Sequence, residues 1–381
     1  MLKRLVSALL LSALLLPFSL TLSAEGTSIT PADLSAKSAV LTDCDGRPLL
    51  EKNATEKMGP ASTTKLMTAL VVLDMCSPSD EVHVPAEAVG IEGSSVYLQA
   101  GEILTIEQLL YALLLASAND AATALAIFCA GSVEAFCEKM NEKAAALGLL
   151  DTHFCNPHGL ADEKHYTTAR DLAVIAAEVL RNPLLRMIVS TYKKTIPLNG
   201  DEGTRVLVNH NKLLRLYDGA IGCKTGFTKK TGRTLVSAAE RDGLLLIAVT
   251  LDAPNDWNDH ARLLDYGFAE YTNVTLFEEG QALGTLPVCG GTDDHAVLVS
   301  EQSLSITCKK GTPISRYTIE ATGHFLYAPV TAETPIGRAT CRVGKDVYEI
   351  SLFTAANVPI KERKIPSFLD RLLHFFKTDD E

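Results

Sequence analysis

The chain has 381 residues, with 35 basic and 46 acidic side chains and a formal net charge of -11 at pH 7. This length indicates two domains with tails, and hydrophobic residues at 47% supply a packed core, which excludes a mainly disordered chain. The acidic balance excludes a nucleic-acid-binding protein, because phosphate neutralisation needs clustered Lys and Arg. No long uninterrupted apolar run follows residue 24, which excludes a polytopic membrane protein.

Residues 1–24 have the three parts of an export signal. Lys3 and Arg4 precede an uncharged apolar stretch over residues 5–22, and small residues end it. The alternative interpretation is an uncleaved membrane anchor, since the run barely reaches spanning length. We expect cleavage and export, which place the mature protein at the outer face of the cytoplasmic membrane or in the cell wall.

Nine cysteines are scattered through the chain, and none forms a C-x-x-C pair. A domain of this size does not need disulfides for its stability, so we interpret most of them as buried small hydrophobic residues or free thiols. His153, His158 and His165 match neither an H-E-x-x-H motif nor a paired-cysteine zinc site. The sequence therefore predicts no metal ion and no cofactor.

Residues 25–273 are predicted to form a first domain of mixed α/β class. Hydrophobic periodicity and capping residues predict, in chain order, a hairpin over 38–52, helices over 62–73, 105–115, 119–129, 132–148 and 169–181, strands over 234–239 and 244–250, and a helix over 257–268. Strands thus open and close this domain, and helices occupy its middle. That order favours a mixed sheet with a helical insertion over a regular doubly wound α/β fold.

The residue pattern changes after residue 273. Residues 274–357 contain short β-rich runs between turn residues and predict a small all-β domain, for which we expect a spacer or docking role. Residues 358–381 are predicted to form an amphipathic helix, with one apolar stripe from Ile365 to Phe376 beside basic residues. We expect this tail to lie on a membrane surface; the alternative is packing onto the β-rich domain.

Three short motifs in the first domain carry candidate chemistry: Ser62-Thr-Thr-Lys65, Ser117-Ala-Asn119 and Lys224-Thr-Gly226. Singly, they occur by chance and indicate no more than a helix surface, a turn and a strand end. Ser62 lies at a predicted helix start, however, so Lys65 follows one turn later on the same face. The second motif falls at a break between helices, and the third precedes a predicted strand. In this order, the three are a known acyl-transfer set, which predicts one site.

This ordered triple resembles that of penicillin-binding proteins and serine β-lactamases, and its flanks are similar to the low-molecular-mass D-alanyl-D-alanine carboxypeptidases. The matching stretches are residues 60–68, 115–120, 152–160, 166–172 and 222–228. The resemblance implies a β-lactamase/transpeptidase-like domain, with an antiparallel sheet flanked by helices, followed by a small C-terminal all-β domain and a membrane-associated tail. It covers nearly the whole mature chain and is looser after residue 275.

Ser62 is the candidate nucleophile, which would form an ester with the peptide carbonyl. No His–Asp pair is placed to activate it, so Lys65 is the candidate general base, although a free lysine with a pKa of ~10.4 is protonated at neutral pH. Burial and the like charge of Lys224 are expected to lower that pKa. We expect Ser117 to relay a proton to the leaving amine, and Asn119 to orient Lys65 and hold the substrate backbone.

Lys224 and Thr225 are expected to bind the terminal carboxylate of the substrate, beside Gly226, which allows another backbone or the substrate to approach closely. The resemblance implies that the backbone amides of Ser62 and Phe227 form the oxyanion hole. Such an arrangement commonly contributes about 3–4 kcal/mol per donor.

One departure from the family concerns the carboxylate. Many relatives carry an Arg shortly after the last sheet strand, whereas this chain reads Asp-Ala-Pro-Asn-Asp over residues 252–256, and Arg262 is too far along to be included in the site. For His158 we expect a structural role in a loop beside the cleft instead of catalysis. Arg170 and Asp171 are expected to cap the helix that follows this loop.

The predicted function is that of a serine-type D-Ala-D-Ala carboxypeptidase, which removes the terminal D-alanine from peptidoglycan stem peptides. Expected partners are a pentapeptide ending in D-Ala-D-Ala, β-lactam antibiotics as covalent inhibitors, and a membrane surface, with no nucleic acid. Two alternatives stay open. A serine β-lactamase of class A would need a loop glutamate, and residues 150–170 contain no E-x-x-L-N segment. A catalytically silent cell-wall scaffold is disfavoured by the intact motifs.

Overall fold

The computed structural model of the chain describes residues 29–198 and 203–362. The predicted export signal lies outside the described residues, as does the part of the predicted amphipathic tail over residues 363–381. Within the described ranges, an α/β part is followed by an all-β part. This order confirms the predicted fold class.

The helices and strands of the described residues are numbered in chain order. The α-helices are α1 Lys65–Met75, α2 Ile106–Leu115, α3 Asn119–Ala130, α4 Val133–Ala146, α5 Ala169–Arg181, α6 Pro183–Ser190, α7 Leu213–Leu216 and α8 Asp256–Glu270. The strands of the first part are β1 Ser38–Asp43, β2 Pro48–Lys52, β3 Glu81–His83, β4 Ile103–Thr105, β5 Lys193–Pro197, β6 Thr204–Val208, β7 Ala220–Thr228, β8 Gly232–Arg241 and β9 Leu244–Leu251. The strands of the second part are β10 Tyr271–Phe277, β11 Ala282–Cys289, β12 His295–Ser300, β13 Leu304–Lys309, β14 Thr318–Ala321, β15 Leu326–Tyr327, β16 Pro335–Val343 and β17 Asp346–Thr354.

A five-stranded antiparallel sheet with the order β2-β1-β9-β8-β7 forms the centre of the first part. The predicted hairpin is β1 and β2, and Gly46 in its turn has a φ of +78°, which favours glycine. The Lys224-Thr-Gly226 motif precedes β8, as predicted, and itself lies in edge strand β7. Its two glycines and its polar residues hide the apolar period by which a strand is recognised.

Helices cover both faces of this sheet. Helix α5 packs on β1 and β9, and α8 packs against β8 and β9 on the other face. Helices α1, α2 and α3 extend the core on the α5 side, where most of their residues are buried. Among the described residues, no single helix is long and apolar enough to span a membrane, and one pair of consecutive helices, α3 and α4, bent by 85°, meets the requirement in length and composition together.

Thr168 caps α5, so the prediction that Arg170 and Asp171 cap this helix is wrong. The hydroxyl of Thr168 accepts a hydrogen bond from the backbone N of Asp171 at 3.0 Å. The side chain of Arg170 instead forms an ion pair with Glu51 on β2, and the carboxylate of Asp171 accepts from Thr152 Oγ1. Both side chains therefore attach the helix start to neighbouring segments.

The segment between α5 and β7 contains four elements that the sequence does not predict: α6, β5, β6 and α7. Pro183 marks the end of a helical pattern in the sequence, but in the structure it is the first residue of α6. Asn182 caps this new helix, since its Oδ1 accepts from the backbone N of Leu184 and of Leu185. A proline is compatible with the first turn of a helix as well as with a helix end, so the residue alone does not distinguish the two.

The all-β part has a six-stranded sheet, in the order β14-β16-β17-β12-β11-β15, and a two-stranded sheet of β10 and β13. Its own core includes Phe277, Leu298 and Leu352. A hydrogen bond joins the two parts of the chain. The hydroxyl of Tyr348 on β17 accepts from Nη1 of Arg47, the residue before β2, at 3.1 Å. Because β2 and β7 are opposite edges of the central sheet, this contact lies on the side away from the Lys224-Thr-Gly226 motif.

Candidate active site

Ser62 lies in a short 3₁₀ turn, Ala61–Thr64, that leads directly into α1. Ala61 has a φ of +49°, a left-handed conformation that turns the main chain sharply before the serine. The turn is fixed to the sheet, since Thr234 Oγ1 on β8 donates to the backbone O of Pro60 at 3.0 Å. The fold thus presents Ser62 at the N-terminal end of a buried helix.

The amine of Lys65 is fully buried among three oxygen atoms. Its Nζ lies 3.1 Å from Ser62 Oγ and donates to Asn119 Oδ1 at 2.7 Å and to the backbone O of His158 at 2.6 Å. Burial, followed by the nearby charge of Lys224, holds the pKa of Lys65 well below its usual value. A neutral amine has two N–H bonds, which the two carbonyl oxygens accept, so its lone pair is left for the serine hydroxyl.

The orientation of Asn119 is set by the loop beside it. Ser117, two residues earlier, has a φ of +62° and turns the chain between α2 and α3. The backbone N of Asn119 donates to the backbone O of Ser94 at 2.7 Å, and its Nδ2 donates to the backbone O of Glu92 at 2.5 Å. With the amide nitrogen held by this loop, the side-chain oxygen faces Lys65.

Strand β7 runs against the serine turn, and Gly226 makes this approach possible. A Cβ atom at Gly226 would lie 2.9 Å from the backbone N of Ser62 and 2.3 Å from Thr234 Oγ1, closer than side-chain carbons pack. Lys224 is 1% exposed, and burial lowers its pKa to about 7. Its Nζ donates to the backbone O of Thr225 at 2.9 Å.

The loop over residues 152–167 contributes to the site through its main chain. The contact of His158 with Lys65 is made by its backbone O, an atom that carries no sequence signature. Gly159 follows with a φ of +90°, and a Cβ atom there would lie 1.9 Å from the backbone O of Ala61. Only glycine therefore lets this loop pack against the serine turn.

His165 joins the same loop to the turn through a chain of hydrogen bonds. The backbone N of Cys155 donates to its Nδ1 at 3.1 Å, so the neutral ring carries its proton on Nε2. Nε2 lies 2.8 Å from Thr64 Oγ1, which in turn donates to the backbone O of Ala61. Protonation of Nδ1 would break the hydrogen bond from the backbone N of Cys155. Burial also disfavours the charged ring and lowers the pKa of His165 to about 4.

The eight predicted site residues lie together. A cleft of about 540 Å³ is lined by five of them: Ser62, Ser117, Thr225, Gly226 and Phe227. The other three, Lys65, Asn119 and Lys224, are buried, and the contacts of the first two place them directly behind Ser62. In the described ranges, no group of three or more His, Cys, Asp or Glu side chains is placed to hold a metal ion.

The cleft also contains a residue that the sequence analysis misses. Arg233 on β8 lies opposite Phe227 of β7, and its Nη2 is 2.9 Å from Asp256 Oδ2. Its guanidinium carbon is 5.8 Å from the centre of the Trp257 ring. Asp256 ends the segment in which the family resemblance implies an arginine, and its ion pair brings Arg233 from β8 to that region instead. The chain position gives no signal of this, because Arg233 and Asp256 meet only when the sheet has formed.

Comparison with known proteins shows the family to which the chain belongs. The sequence model of Peptidase S11, D-alanyl-D-alanine carboxypeptidase, matches residues 25–255, and that of the penicillin-binding protein 5 C-terminal domain matches residues 271–359. The chain belongs to the Peptidase S11 family of D-alanyl-D-alanine carboxypeptidases. This family of serine hydrolases acts on peptidoglycan D-Ala-D-Ala ends and binds β-lactams.

The matches to individual relatives cover both the α/β part and the all-β part of this carboxypeptidase. D-alanyl-D-alanine carboxypeptidase DacF of Bacillus subtilis is 36% identical over 320 residues, which cover 81% of this chain and 82% of the relative. DacA of Escherichia coli K12 is 30% identical over 349 residues, 86% of this chain and 84% of the relative. Among solved structures, penicillin-binding protein 5 from Haemophilus influenzae superposes with a TM-score of 0.70 at 28% identity, covering 87% of this chain and all of that one.

We predict that Gly226→Ala lowers the rate of acylation by a β-lactam roughly 100-fold, the order expected when one oxyanion-hole donor is lost. The added methyl group would push β7 away from the backbone N of Ser62. Gly323→Ala is the matched control, because its added carbon would meet no atom closer than 3.6 Å. Stopped-flow acylation rates measure the effect, and equal rates for the two variants would contradict this role of Gly226.

A second prediction concerns pH. The folded protein holds His165 neutral down to about pH 4, whereas the unfolded chain takes up this proton near pH 6.5. The contribution of His165 to stability is therefore complete above pH 6.5 and is lost as the pH falls towards 4. We expect His165→Gln to reduce the acid-induced fall in unfolding free energy by about 3 kcal/mol. Urea titrations of the full chain between these pH values test this, with His83→Gln at an exposed position as the control.

Proposed function

We propose that the protein removes the terminal D-alanine from peptidoglycan stem peptides through an acyl-enzyme formed on Ser62. The observation that carries the proposal is the position of the Lys65 amine, 3.1 Å from Ser62 Oγ and hydrogen-bonded on its other sides to two carbonyl oxygens. This arrangement supports a neutral lysine as the general base, in place of the histidine used by many serine hydrolases.

In the first step, Ser62 Oγ attacks the carbonyl carbon between the two D-alanine residues, and its proton passes to Lys65 Nζ. Charge develops on the carbonyl oxygen as the new bond forms. The backbone N–H groups of Ser62 and Phe227 are proposed to stabilise this charge. The close approach of Gly226 to the backbone N of Ser62 supports the pairing of these two amides.

In the second step, the carbon–nitrogen bond breaks and the leaving D-alanine amine takes up the proton. Ser117 is proposed to carry this proton from Lys65, and its position in the cleft supports the relay. Water then attacks the ester carbon and gives a proton to Lys65, and this proton passes to Ser62 Oγ as the bond between that oxygen and the acyl carbon breaks. Asn119 holds the amine in place throughout, through its contact at 2.7 Å.

The free carboxylate of the substrate is proposed to bind at the β7 end of the cleft. Thr225 lines the cleft there, and Lys224 supplies a buried amine. Arg233 adds a fixed positive charge, because Asp256 and Trp257 position its guanidinium group at the cleft wall. These residues would let the enzyme distinguish a chain end from an internal peptide bond.

The two alternative functions have less support. Rapid hydrolysis of a penicillin ester in a class A β-lactamase uses a carboxylate near the serine. Among the described residues that line the cleft, Asp256 alone carries a carboxylate, and Arg233 is paired with it. A silent scaffold would have no need for a buried Lys65. Burying an amine lowers the free energy of unfolding, so a buried lysine is retained where it serves chemistry.

The location of the enzyme is part of the same proposal. We infer export through residues 1–24 and peripheral attachment to the outer face of the cytoplasmic membrane through the tail over residues 358–381. The apolar stripe and the basic residues of that tail support a helix in the headgroup layer. Residues 1–24 and 363–381 lie outside the described residues, so this inference depends on the amino-acid sequence of the two segments.

Covalent labelling tests the acyl-enzyme. Purified wild-type protein should bind a fluorescent penicillin irreversibly and should release D-alanine from a D-Ala-D-Ala peptide, whereas Ser62→Ala should do neither. Ser190→Ala, at an exposed position on α6, is the control. Equal labelling of Ser62→Ala would remove Ser62 from its role. Fast penicillin turnover without D-alanine release would indicate a β-lactamase, and labelling with neither activity would indicate a scaffold.

Arg233→Leu should lower kcat/KM for a D-Ala-D-Ala peptide roughly tenfold, because a charge-assisted hydrogen bond to the carboxylate is lost. The same comparison with a peptide amidated at its C-terminus isolates this contact, since the substrate then has no carboxylate and the two proteins should differ little. Arg215→Leu removes the same charge from another cleft residue and should have the smaller effect. An equal loss of kcat/KM in both variants would indicate that the overall positive potential of the cleft, and not a specific contact of Arg233, attracts the carboxylate.

A further inference from the structure

Helices α1 and α3 carry two of the residues on which the site depends, and they run side by side in the same direction. Lys65 is the first residue of α1, Asn119 is the first residue of α3, and their side chains are 2.7 Å apart. The opposite ends of the two helices also meet, about 15 Å away at 1.5 Å per residue. Cys76 follows the last residue of α1, and Cys129 lies in the last turn of α3.

The sulfur atoms of these two cysteines are in direct contact. The distance between Cys76 Sγ and Cys129 Sγ is 2.8 Å, although the residues are 53 positions apart in the chain. All nine cysteines lie within the described residues, and no other pair has its sulfur atoms in contact there. Both side chains are partly exposed, so a reagent in solution can reach them.

We propose that Cys76 and Cys129 form a disulfide bond that joins the distal ends of α1 and α3 in the mature protein. Two S–H bonds break and one S–S bond forms, and the two electrons and two protons pass to an oxidant of the disulfide class, which becomes two thiols. The bond needs an oxidising setting, such as the proposed export provides. Its formation in vitro does not depend on the proposed enzymatic activity.

The bond would close a loop that contains the whole of α2 and the Ser117-Ala-Asn119 motif. Closing a loop of this length restricts the unfolded chain and stabilises the folded one. In the folded protein, α1 and α3 would be joined at both ends, by the disulfide at one and by the Lys65–Asn119 hydrogen bond at the other. The disulfide therefore stabilises the helix pair that positions the general base, and it does so without touching the cleft.

A structural bond fits these cysteines better than a rapid redox switch. Burial and the adjacent Cys76 raise the pKa of Cys129, so little of its reactive thiolate is present near neutral pH. Reactive sensor cysteines have the opposite property, a lowered pKa in a positively charged environment. The pair should accordingly oxidise slowly and remain oxidised.

Peptide mapping tests the bond directly. The purified full chain is equilibrated with excess oxidised over reduced glutathione, denatured, alkylated and digested with a glutamate-specific protease. Cleavage after Glu81 and Glu134 places Cys76 and Cys129 on separate peptides and removes the neighbouring Cys137. We expect a linked species two hydrogen atoms lighter than the sum of its peptides, absent after reduction. Separately alkylated peptides, or a link to Cys137, would overturn the proposal.

Thermal unfolding of the oxidised proteins gives the second readout. Reduction of the wild type should lower the Tm by roughly 5–10 °C. Cys76→Ser, Cys129→Ser and the double variant should each show about this loss and should no longer respond to reductant. Cys308→Ser, a partly exposed cysteine on β13, is the control and should keep the response. A response to reductant that survives in the double variant would overturn the proposal.

Discussion

A buried amine between two carbonyl oxygens is the constraint on which this structure depends. Lys65 has no exposed surface, and burying its positive charge would cost several kcal/mol. The protein resolves this by lowering the pKa of the amine and by supplying acceptors for both protons of its neutral form. The acceptors come from Asn119 on α3 and from the main chain of His158. Three segments that are distant in sequence must therefore pack together before the neutral amine is held beside Ser62.

Local strain is concentrated where those segments meet. Ala61 and Ser117 have left-handed backbone conformations, which are unfavourable for residues with a Cβ atom, and each lies in or beside a motif of the candidate active site. Gly159 and Gly226 are used for a different reason, because their missing side chains let two backbones approach the serine turn. The large helical core behind the site supplies the stability that maintains this geometry.

The end of the cleft beside β7, where we propose that the substrate carboxylate binds, illustrates how one position in space can be filled from different places in a sequence. The segment over residues 252–256 lacks the arginine of many relatives, yet Asp256 holds the guanidinium group of Arg233 at the cleft wall. The charge is thus supplied from β8, through an ion pair that the chain order does not reveal. A reading of motifs alone would describe this end of the cleft as incomplete.

The amino-acid sequence by itself determined the fold class, the first hairpin, the caps of α2 and α4, and the three motifs, because each depends on residues close together in the chain. Tertiary structure alone decided the Lys65 contact with the backbone O of His158, the Arg233–Asp256 pair and the Cys76–Cys129 contact. These join positions 23 to 93 residues apart, and the first involves a main-chain atom that every residue has. No local pattern encodes such contacts, since they exist only after the helices have packed on the sheet.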